Sequence, residues 1–387
     1  MKNIHSSQFK SSIKTKVGRS PVYRTLFVSV IFLLSACSGL HQHPQFTVEP
    51  LPRYEAPFQR SQGWTGGDGV FSVGLDPNRI LWLFGDTFIG EVRDNRNVDF
   101  VLVNNTIAVQ NGKEPKPTGI NFYYGQTIQG KPEAFLRPSD GVGWFWPYHG
   151  VRTKEGLFLF LIQVERTDGM PGFDFRPVAT WLGKVSNPDD PPESWQVSQQ
   201  KIPWSGENRL WGSSVLVKGQ DCYIFGTADE PSEGVRQNQL ILAKVPAAQI
   251  MDLNQWRFFS NGEWVVEADR AMGLSANVAN EFSVSFQPAL NQYLLLYTQD
   301  SLSKYMVFRL APDLQGPWSE PVRFYRCPEA EWDPRIFCYA AKGHPELSLS
   351  PEELIVTYTT NSTDLALIES DARLYRPRFL RLRFWKP

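Results

Sequence analysis

Two aspartates near the start of a strand-rich region have the side-chain type and spacing that acid–base chemistry needs. Asp68 lies in Gly66-Gly67-Asp68-Gly69, and Asp86 follows an apolar run in Gly85-Asp86-Thr87. In the hydrolysis of a glycosidic bond, one carboxyl group protonates the leaving oxygen while a second activates water or attacks carbon. Glu281, between Asn280 and Phe282, is a third candidate acid. These three residues are therefore the candidate catalytic groups.

Each of these acids also has a structural interpretation. Asp-Gly is a common turn pair, so Asp68 can simply belong to a turn. Asp86 can cap a strand end by accepting hydrogen bonds from backbone amides, and Glu281 can be a solvated loop acid. The catalytic interpretation gains weight only if the fold gathers the three side chains in one place.

The elements that would position these acids are short strands in a repeat. Apolar runs between clusters of Gly, Pro, Asn and Asp indicate an all-β protein. One run type recurs along the chain as Leu81–Thr87, Phe158–Gln163, Tyr223–Thr227, Leu294–Thr298 and Leu354–Thr359. Polar outer strands recur around Trp195, Trp256 and Trp318. Four strands per unit, repeated radially, predict a five-bladed β-propeller, and a pair of β-sandwiches is the alternative.

Another strand candidate precedes each recurring run. These candidates are Gly69–Val73, Gly150-Val151, Gly212–Val215, Phe282–Val284 and Glu346–Leu349. The innermost strands of a propeller line a central channel, and their leading ends converge at one mouth. The residues expected there, besides the three acids, are His149, Trp211, His344 and Glu346. His149 can instead be a structural histidine with both ring nitrogens satisfied.

Aromatic side chains near the predicted mouth suit a saccharide ligand. The flat faces of Trp64, Trp144, Trp146 and Trp211 could stack on sugar rings, because aromatic side chains offer large apolar faces. Acids, histidines and aromatics at one mouth are the groups that cleavage of a glycosidic bond requires. No metal-binding motif is present, and no cofactor is expected.

Several segments resemble a known family. They resemble a secreted five-bladed propeller family that includes endo-D-arabinanases. The segments are Asp68–Val73, Leu81–Gly90, Val103–Ile107, Gly316–Pro321, Gly343–Leu347, Tyr358–Asn361 and Leu374–Phe379. The resemblance extends over about Trp64 to Phe384 and implies a glycoside hydrolase acting on a furanoside-containing polysaccharide. It implies that Asp68 and Asp86 are the catalytic acids, without deciding which donates the proton. It implies substrate-side roles for Asn105, His149, Glu281, His344, Asn361 and Arg376.

The first residues predict export and lipid anchoring. A basic stretch and the apolar run Leu26–Leu34 precede Leu34-Ser35-Ala36-Cys37, which resembles a bacterial lipobox. Residues 1–36 are thus expected to be a lipoprotein signal peptide, with Cys37 lipidated and Ser38 favouring the outer membrane. Residues 37–57 are expected to be a tether, and residues 58–387 the propeller and catalytic domain. An ordinary cleaved signal with a chance cysteine is the alternative.

The charge of the chain disfavours nucleic acid as a binding partner. The first 37 residues hold six of the 39 Lys and Arg and no acid, so the remainder has 33 basic against 40 acidic residues. Such an acidic domain is a poor partner for nucleic acid.

Export permits disulfides, and Cys327 and Cys338 could pair, whereas Cys222 lies in a strand-like run and is expected to be a buried thiol.

Two further functions stay open. A non-catalytic glycan-binding lipoprotein would keep the aromatic faces and tolerate loss of the acids, and an envelope scaffold would use a propeller face to bind another protein. Long loops about residues 165–177 and 229–238 could shape an open groove. The sequence leaves open the sugar and its linkage, endo or exo action, inversion or retention, and the oligomeric state.

Overall fold

Alternating apolar side chains and frequent turn residues fold most of the chain into antiparallel strands. The computed structural model describes residues 44–169, 172, 174–232 and 235–385, which lie in the second of the chain's two units, His43–Pro387. Five larger sheets follow one another along this part of the chain. The prediction of an all-β protein is confirmed.

The five sheets share one plan, in which strands pair with their neighbours in sequence. Sheet 1 consists of Phe71–Asp76, Arg79–Phe84, Thr106–Asn111 and Ile120–Tyr123. Sheet 2 consists of Trp144–Thr153, Gly156–Arg166, Phe175–Val185 and Val197–Lys201. Sheet 3 consists of Arg209–Lys218, Asp221–Ser232, Val235–Pro246, Arg257–Ser260 and Glu263–Val265, with Ser275–Ala276 pairing to its third strand.

The last two large sheets continue the plan, and the fifth draws its outer strand from the other end of the chain. Sheet 4 consists of Phe282–Gln287, Gln292–Thr298, Tyr305–Ala311 and Val322–Arg326. Sheet 5 consists of Ile336–His344, Glu353–Ser362, Pro377–Trp385 and Gln45–Pro50. The pairing of Gln45–Pro50 with Pro377–Trp385 joins the two ends of the fold.

Smaller elements complete the described chain. Gln62–Gly67, Thr87–Arg93 and Arg96–Val103 form a three-stranded accessory sheet, and Gly125–Gln126 pairs with Pro132–Glu133. The short α-helices are Pro52–Glu55 and Leu365–Ser370. The 3₁₀ turns are Ala56–Phe58, Pro192–Ser194, Leu253–Gln255, Ala268–Arg270, Pro328–Glu331 and Pro345–Leu347.

The first strands of the five sheets contact one another in a closed ring. His149 in sheet 2 links its neighbours, because its Nε2 lies 2.9 Å from the Ser72 carbonyl oxygen and its Nδ1 accepts from the Val215 amide at 2.9 Å. Ser72 Oγ also lies 2.5 Å from Nδ1 of His344 in sheet 5. Side chains thus tie together strands that have no backbone ladder between them.

Serine hydroxyls close the rest of the ring. The Ser214 hydroxyl accepts from the Val284 amide at 2.8 Å, joining sheets 3 and 4. The Ser283 hydroxyl accepts from the Gly343 amide at 2.7 Å, joining sheets 4 and 5. Because both bonds satisfy a buried backbone donor, the ring holds the five first strands in a fixed relation.

The predicted tether at residues 37–57 is wrong for its described part. Gln45–Pro50 is a strand, and the helix and 3₁₀ turn that follow bury Tyr54 and Phe58. Phe46 packs edge-on against Phe308 with ring centroids 5.5 Å apart, so this segment is part of the fold. Alternate residues of the strand face sheet 4, which is a pattern that a polar linker does not show.

Two other expectations about the chain path need correction. The first strand of sheet 5 is Ile336–His344 rather than Glu346–Leu349, because Pro345 has no amide to donate and a 3₁₀ turn begins there. Of the segments predicted as long loops, residues 165–166 and 175–177 belong to the central strands of sheet 2, and residues 229–232 and 235–238 belong to the central strands of sheet 3.

The cysteine expectations are confirmed. Cys327 and Cys338 form a disulfide that spans the start of sheet 5, and Cys222 is a buried free thiol. The predicted signal peptide and the lipidation site Cys37 lie outside the described residues. No helix among the described residues is both long enough and apolar enough to span a bilayer.

Candidate active site

Asp68 occupies the turn between the accessory sheet and the first strand of sheet 1. The side chain is half-buried, and its Oδ2 accepts hydrogen bonds from the hydroxyls of Tyr339 at 2.7 Å and Tyr375 at 2.8 Å. Tyr339 comes from the first strand of sheet 5, and Tyr375 lies two residues before its third strand. The two tyrosines therefore fix the orientation of one carboxylate across a sheet boundary.

The glycines around Asp68 are required by close approach. A Cβ on Gly85 would lie 2.4 Å from Asp68 Oδ1, and one on Gly66 would lie 2.7 Å from the Tyr375 carbonyl oxygen. Both distances are below any real carbon contact, so only glycine fits without displacement of the site. The Gly-Asp-Gly segment is a turn, as its composition indicated, and it also carries the carboxyl group.

Asp86 stands beside Asp68 through direct backbone contact. The Gly85 amide donates to the Asp68 carbonyl oxygen at 3.0 Å, and the Asp68 amide approaches the Asp86 carbonyl oxygen at 3.3 Å. The half-buried Asp86 side chain accepts at Oδ1 from Trp146 Nε1 at 2.9 Å and from Asn104 Nδ2 at 3.2 Å. The backbone contacts thus hold both carboxyl groups in one turn region.

The two carboxyl groups differ in their protonation. Burial, and then the negative charges of Asp86 and Glu281, raise the pKa of Asp68 to about 8, although both tyrosine hydrogen bonds oppose the rise. Burial raises the pKa of Asp86 to about 6, and the bonds from Trp146 and Asn104 oppose it. Near neutral pH the pair therefore favours a state with one proton, because two close carboxylates do not readily ionise together, and the larger rise in pKa is that of Asp68.

Glu281 joins the same cluster but has a cationic partner. Lys342 Nζ lies 2.5 Å from Glu281 Oε2 and donates to the Ala340 carbonyl oxygen at 3.0 Å. The Lys342 side chain is 2% exposed, and burial lowers its pKa, opposed by the negative charge of Glu281. Glu281 thus compensates a buried lysine and also acts electrostatically on Asp68.

Among the residues predicted to bind substrate, two keep a place beside the acids. Trp146 is half-buried and contacts Asp86, and the half-buried Asn361 donates from Nδ2 to the Tyr339 hydroxyl at 3.2 Å. Asn361 therefore supports the tyrosine that orients Asp68. Both residues stay candidates for contact with a ligand.

Four other predicted ligand contacts are wrong, because their side chains are committed to the interior. Trp64 and Trp211 are fully packed, so neither offers a ring face to a sugar. Asn105 is buried and donates to the carbonyl oxygens of Leu136 and Phe145. The buried Arg376 guanidinium donates to the Thr65 carbonyl oxygen at 2.8 Å and so ties the accessory sheet to sheet 5.

The predicted roles of His149, His344 and Glu346 change in the same way. Both ring nitrogens of His149 are used in the ring of first strands, and His344 Nε2 lies 2.7 Å from the Thr357 hydroxyl. Burial lowers the pKa of both histidines, that of His149 to about 4, so they are neutral tethers. Glu346 accepts from the Ser72 hydroxyl, away from the aspartates.

The sequence interpretation missed Tyr339, Tyr375, Asn104 and Lys342. Tyr375 stands next to Arg376 and Asn104 stands next to Asn105, so the resemblance marks the right segments but assigns the roles to the neighbouring residues. The described side chains close enough to share a metal ion are Cys327, Glu329 and Cys338, but their two sulfur atoms are bonded to each other. That group therefore offers no free thiolate to a metal.

Comparisons with known proteins agree with this fold. A family model described as "Domain of unknown function (DUF5005)" matches residues 52–385. No curated protein is similar enough to this chain to count as a match. A crystal structure from Bacteroides ovatus ATCC 8483, provisionally described as a hydrolase, has 19% sequence identity and a TM-score of 0.71, and the alignment covers 89% of this chain and 92% of that chain.

More distant structures include sugar-cleaving enzymes. The catalytic domain of the GH62 α-L-arabinofuranosidase from Coprinopsis cinerea has 12% identity and a TM-score of 0.48, with 88% of this chain and 97% of that chain covered. The GH43_1 enzyme from Xanthomonas citri, in complex with xylotriose, has 11% identity and a TM-score of 0.47, with 86% and 92% covered. At these TM-scores the two enzymes support no conclusion about this chain.

Proposed function

We propose that this chain, which belongs to the DUF5005 family, is a glycoside hydrolase that cleaves a furanoside-containing polysaccharide with Asp68 and Asp86. The observation that carries the proposal is the pairing of two half-buried carboxyl groups whose surroundings assign them different protonation states. Two carboxyl groups whose pKa values differ in this way usually serve as the acid and the base in glycoside hydrolysis.

Asp68 is the proton donor in this proposal. Its Oδ2 is occupied by two tyrosine hydroxyls, so the proton resides on Oδ1, the oxygen that faces Gly85. A protonated carboxyl group can transfer that proton to the glycosidic oxygen as the bond to the sugar breaks. The tyrosines hold the donor in place so that reorientation costs little during the reaction.

Asp86 is the carboxylate that acts on the sugar or on water. Hydrogen bonds from an indole and an amide stabilise its ionised form, and both donors approach the same oxygen, Oδ1. The second oxygen accepts no hydrogen bond from the described residues, so it can attack carbon or accept a proton from water. Both routes use the same charged group.

The fold and substrate class follow from several supports taken together. The closed ring of first strands and the five successive sheets support a five-bladed propeller. The resemblance of Asp68–Val73 and Leu81–Gly90 to endo-D-arabinanases supports an arabinofuranose polymer as substrate. The lipobox-like segment ending at Cys37 supports lipid anchoring in a bacterial envelope, with the outer membrane favoured by Ser38.

A reducing-sugar assay across arabinan, arabinogalactan and other furanosides tests the proposal. We expect new reducing ends from at least one furanoside polymer. Binding of a polymer without cleavage would instead favour the non-catalytic glycan-binding lipoprotein. Neither binding nor cleavage of any glycan would favour the envelope scaffold.

The pH profile is expected to be bell-shaped. Activity requires Asp86 ionised and Asp68 protonated, so it should fall below the pKa of about 6 and above the pKa of about 8. Both limbs belong to the coupled pair, and kcat/KM measured from pH 4 to pH 10 gives them. A rate that stays flat from pH 5 to pH 9 would contradict this assignment of roles.

Gly85→Ala should misplace the proton donor. The new Cβ would collide with Asp68 Oδ1, and a displacement of about 1 Å typically lowers kcat/KM by roughly 10²-fold. Gly206→Ala is the matched control, since a Cβ there meets nothing within 4 Å. Thermal unfolding of both variants shows whether the chain folds, and full activity in a folded Gly85→Ala variant would refute the close approach.

A further inference from the structure

A cavity of about 810 Å³ lies between the accessory sheet and sheet 2. We call it the side cavity; its lining includes Leu102, Asn104, Glu133, Arg137, Trp144 and Gln199. It is much larger than the cavity of about 310 Å³ that the first strands enclose. Its volume is within the range of about 300–1,000 Å³ that small-molecule sites occupy.

Two of the residues that line the side cavity connect it to Asp86. Asn104 lines it and also donates to Asp86 at 3.2 Å. Trp144 lines it and packs edge-on against Trp146, which donates to the same carboxylate, with ring centroids 6.0 Å apart. A ligand in the cavity would therefore lie next to the bond that Asp86 acts on.

The lining chemistry suits an uncharged saccharide. Leu102, which is 51% exposed, and the half-buried Trp144 provide apolar surface, while Gln199 and Asn104 provide amide groups. The charges of Glu133 and Arg137 compensate each other in an ion pair at 3.1 Å. Such a wall matches the apolar ring faces and hydroxyl groups of a neutral sugar better than a charged ligand.

Trp144 offers a donor at the wall of the side cavity. Its indole Nε1 has no hydrogen-bond partner among the described residues, although the atom is shielded from solvent. The packed Trp64 and Trp211 also have unpaired indole donors, so the place of Trp144 in the cavity wall is what distinguishes it. A sugar hydroxyl or ring oxygen in the side cavity would supply an acceptor after a small movement of the ring.

We propose that the side cavity binds the saccharide units adjoining the bond that is cleaved, so that the chain recognises an oligosaccharide segment rather than a single sugar. This inference rests on the proposed hydrolase function for its position relative to the reacting bond. The cavity lies beside Asn104, which contacts Asp86, and its size exceeds what one ring needs. Affinity should therefore rise with the length of the saccharide.

Isothermal titration of arabino-oligosaccharides and xylo-oligosaccharides of increasing length tests this proposal. The titrations use the full chain with Asp68→Asn as the parent, so that turnover does not consume the ligand. We expect affinity to rise with length in the parent, and Trp144→Ala and Leu102→Glu each to weaken long oligosaccharides by about tenfold, as for loss of an anchoring side chain. Trp385→Ala and Leu349→Glu change exposed residues outside the cavity and should bind like the parent.

The outcomes separate this proposal from the proposed hydrolase. If both cavity variants keep the full length dependence, or if no oligosaccharide binds the parent, the side cavity is not a saccharide site. In that case, cleavage of an aryl furanoside by the native chain would still support the proposed hydrolase function. A different result is that binding depends on length in the parent and is lost in both variants, while the native chain cleaves no glycan. That result would refute the hydrolase proposal and support the side cavity as a saccharide site.

Discussion

Asp86→Asn is expected to lower kcat on furanoside polymers by about 10²–10⁴-fold or more, since the variant retains the shape of the side chain but loses its charge. The amide cannot attack carbon or accept a proton from water. Its Oδ1 can still accept the hydrogen bonds of Trp146 and Asn104, so the site should keep its geometry. KM should change little, because binding contacts elsewhere persist.

Asp68→Asn should produce a loss that depends on the leaving group. A natural glycan needs a proton on its departing oxygen, so its cleavage should fall by about 10²–10⁴-fold. An aryl furanoside with an acidic phenol leaves without that proton, and its cleavage should fall far less. Asp86→Asn should lower the cleavage of both substrates to a similar extent. The contrast between the two variants identifies which aspartate donates the proton.

The matched control is Asp94→Asn, an exposed aspartate in the turn between Thr87–Arg93 and Arg96–Val103. Its φ is 50°, a conformation that asparagine adopts readily, so activity should not change. Equal turnover of the glycan by Asp68→Asn, Asp94→Asn and the native chain would refute catalysis by Asp68. An equal loss of both substrates in Asp68→Asn would place it in the other role.

Unfolding measurements separate catalysis from folding in the same variants. The fold raises the pKa of Asp68 from its ordinary value of 3.8 to about 8, so protonated Asp68 favours the folded state. The contribution of Asp68 to the free energy of unfolding should therefore fall as pH rises from about 4 to about 8. Asp68→Asn lacks this group and should unfold at an equal or higher temperature at pH 8.

Local sequence signals were sufficient for the sheets and for the two aspartates. Strand alternation and turn residues are local properties, so they located the apolar second strands of the five sheets, such as Phe158–Gln163 within Gly156–Arg166. The Gly-Asp-Gly segment signalled a turn near the start of a strand, and the repeat suggested that such starts converge. The acids could thus be proposed before any coordinate was known.

Nonlocal packing accounts for the failures. Gln45–Pro50 reads as a linker because its partner strand, Pro377–Trp385, lies at the other end of the chain. Tryptophan serves a core and a sugar surface equally well, so nothing local marked Trp64 and Trp211 as buried. Tyr375 reaches Asp68 from a backbone with φ of 58°, and alternation does not predict such a turn.

Glu281→Gln is expected to destabilise the chain by about 3–5 kcal/mol, the cost of leaving a buried charge without its partner. The Lys342 side chain is 2% exposed, so water cannot replace the lost carboxylate. Lys342→Met should cost less, because the Glu281 side chain is 26% exposed and can be solvated. Chemical denaturation of the two variants measures this asymmetry.

The pH dependence of the destabilised variant provides an independent check. Burial already lowers the pKa of Lys342, and loss of Glu281 should lower it further. The unfolded chain then binds one more proton than the folded chain over a wide alkaline range, so stability should recover as pH rises from about 7 to about 10. If the loss of stability of Glu281→Gln relative to the native chain does not change with pH, the unpaired Lys342 is not the cause of that loss.

The double variant Glu281→Gln/Lys342→Met decides whether Glu281 takes part in the reaction. Removing both charges leaves no unpaired ion, and such exchanges are often neutral for stability, so the double variant should unfold close to the native chain. We expect it to retain glycan cleavage within about tenfold, because Glu281 acts on Asp68 only through its charge. In the single Glu281→Gln variant the alkaline limb should move to lower pH, since one of the charges that raise the pKa of Asp68 is gone. A double variant that is stable but as inactive as Asp86→Asn would instead make Glu281 a catalytic residue in its own right.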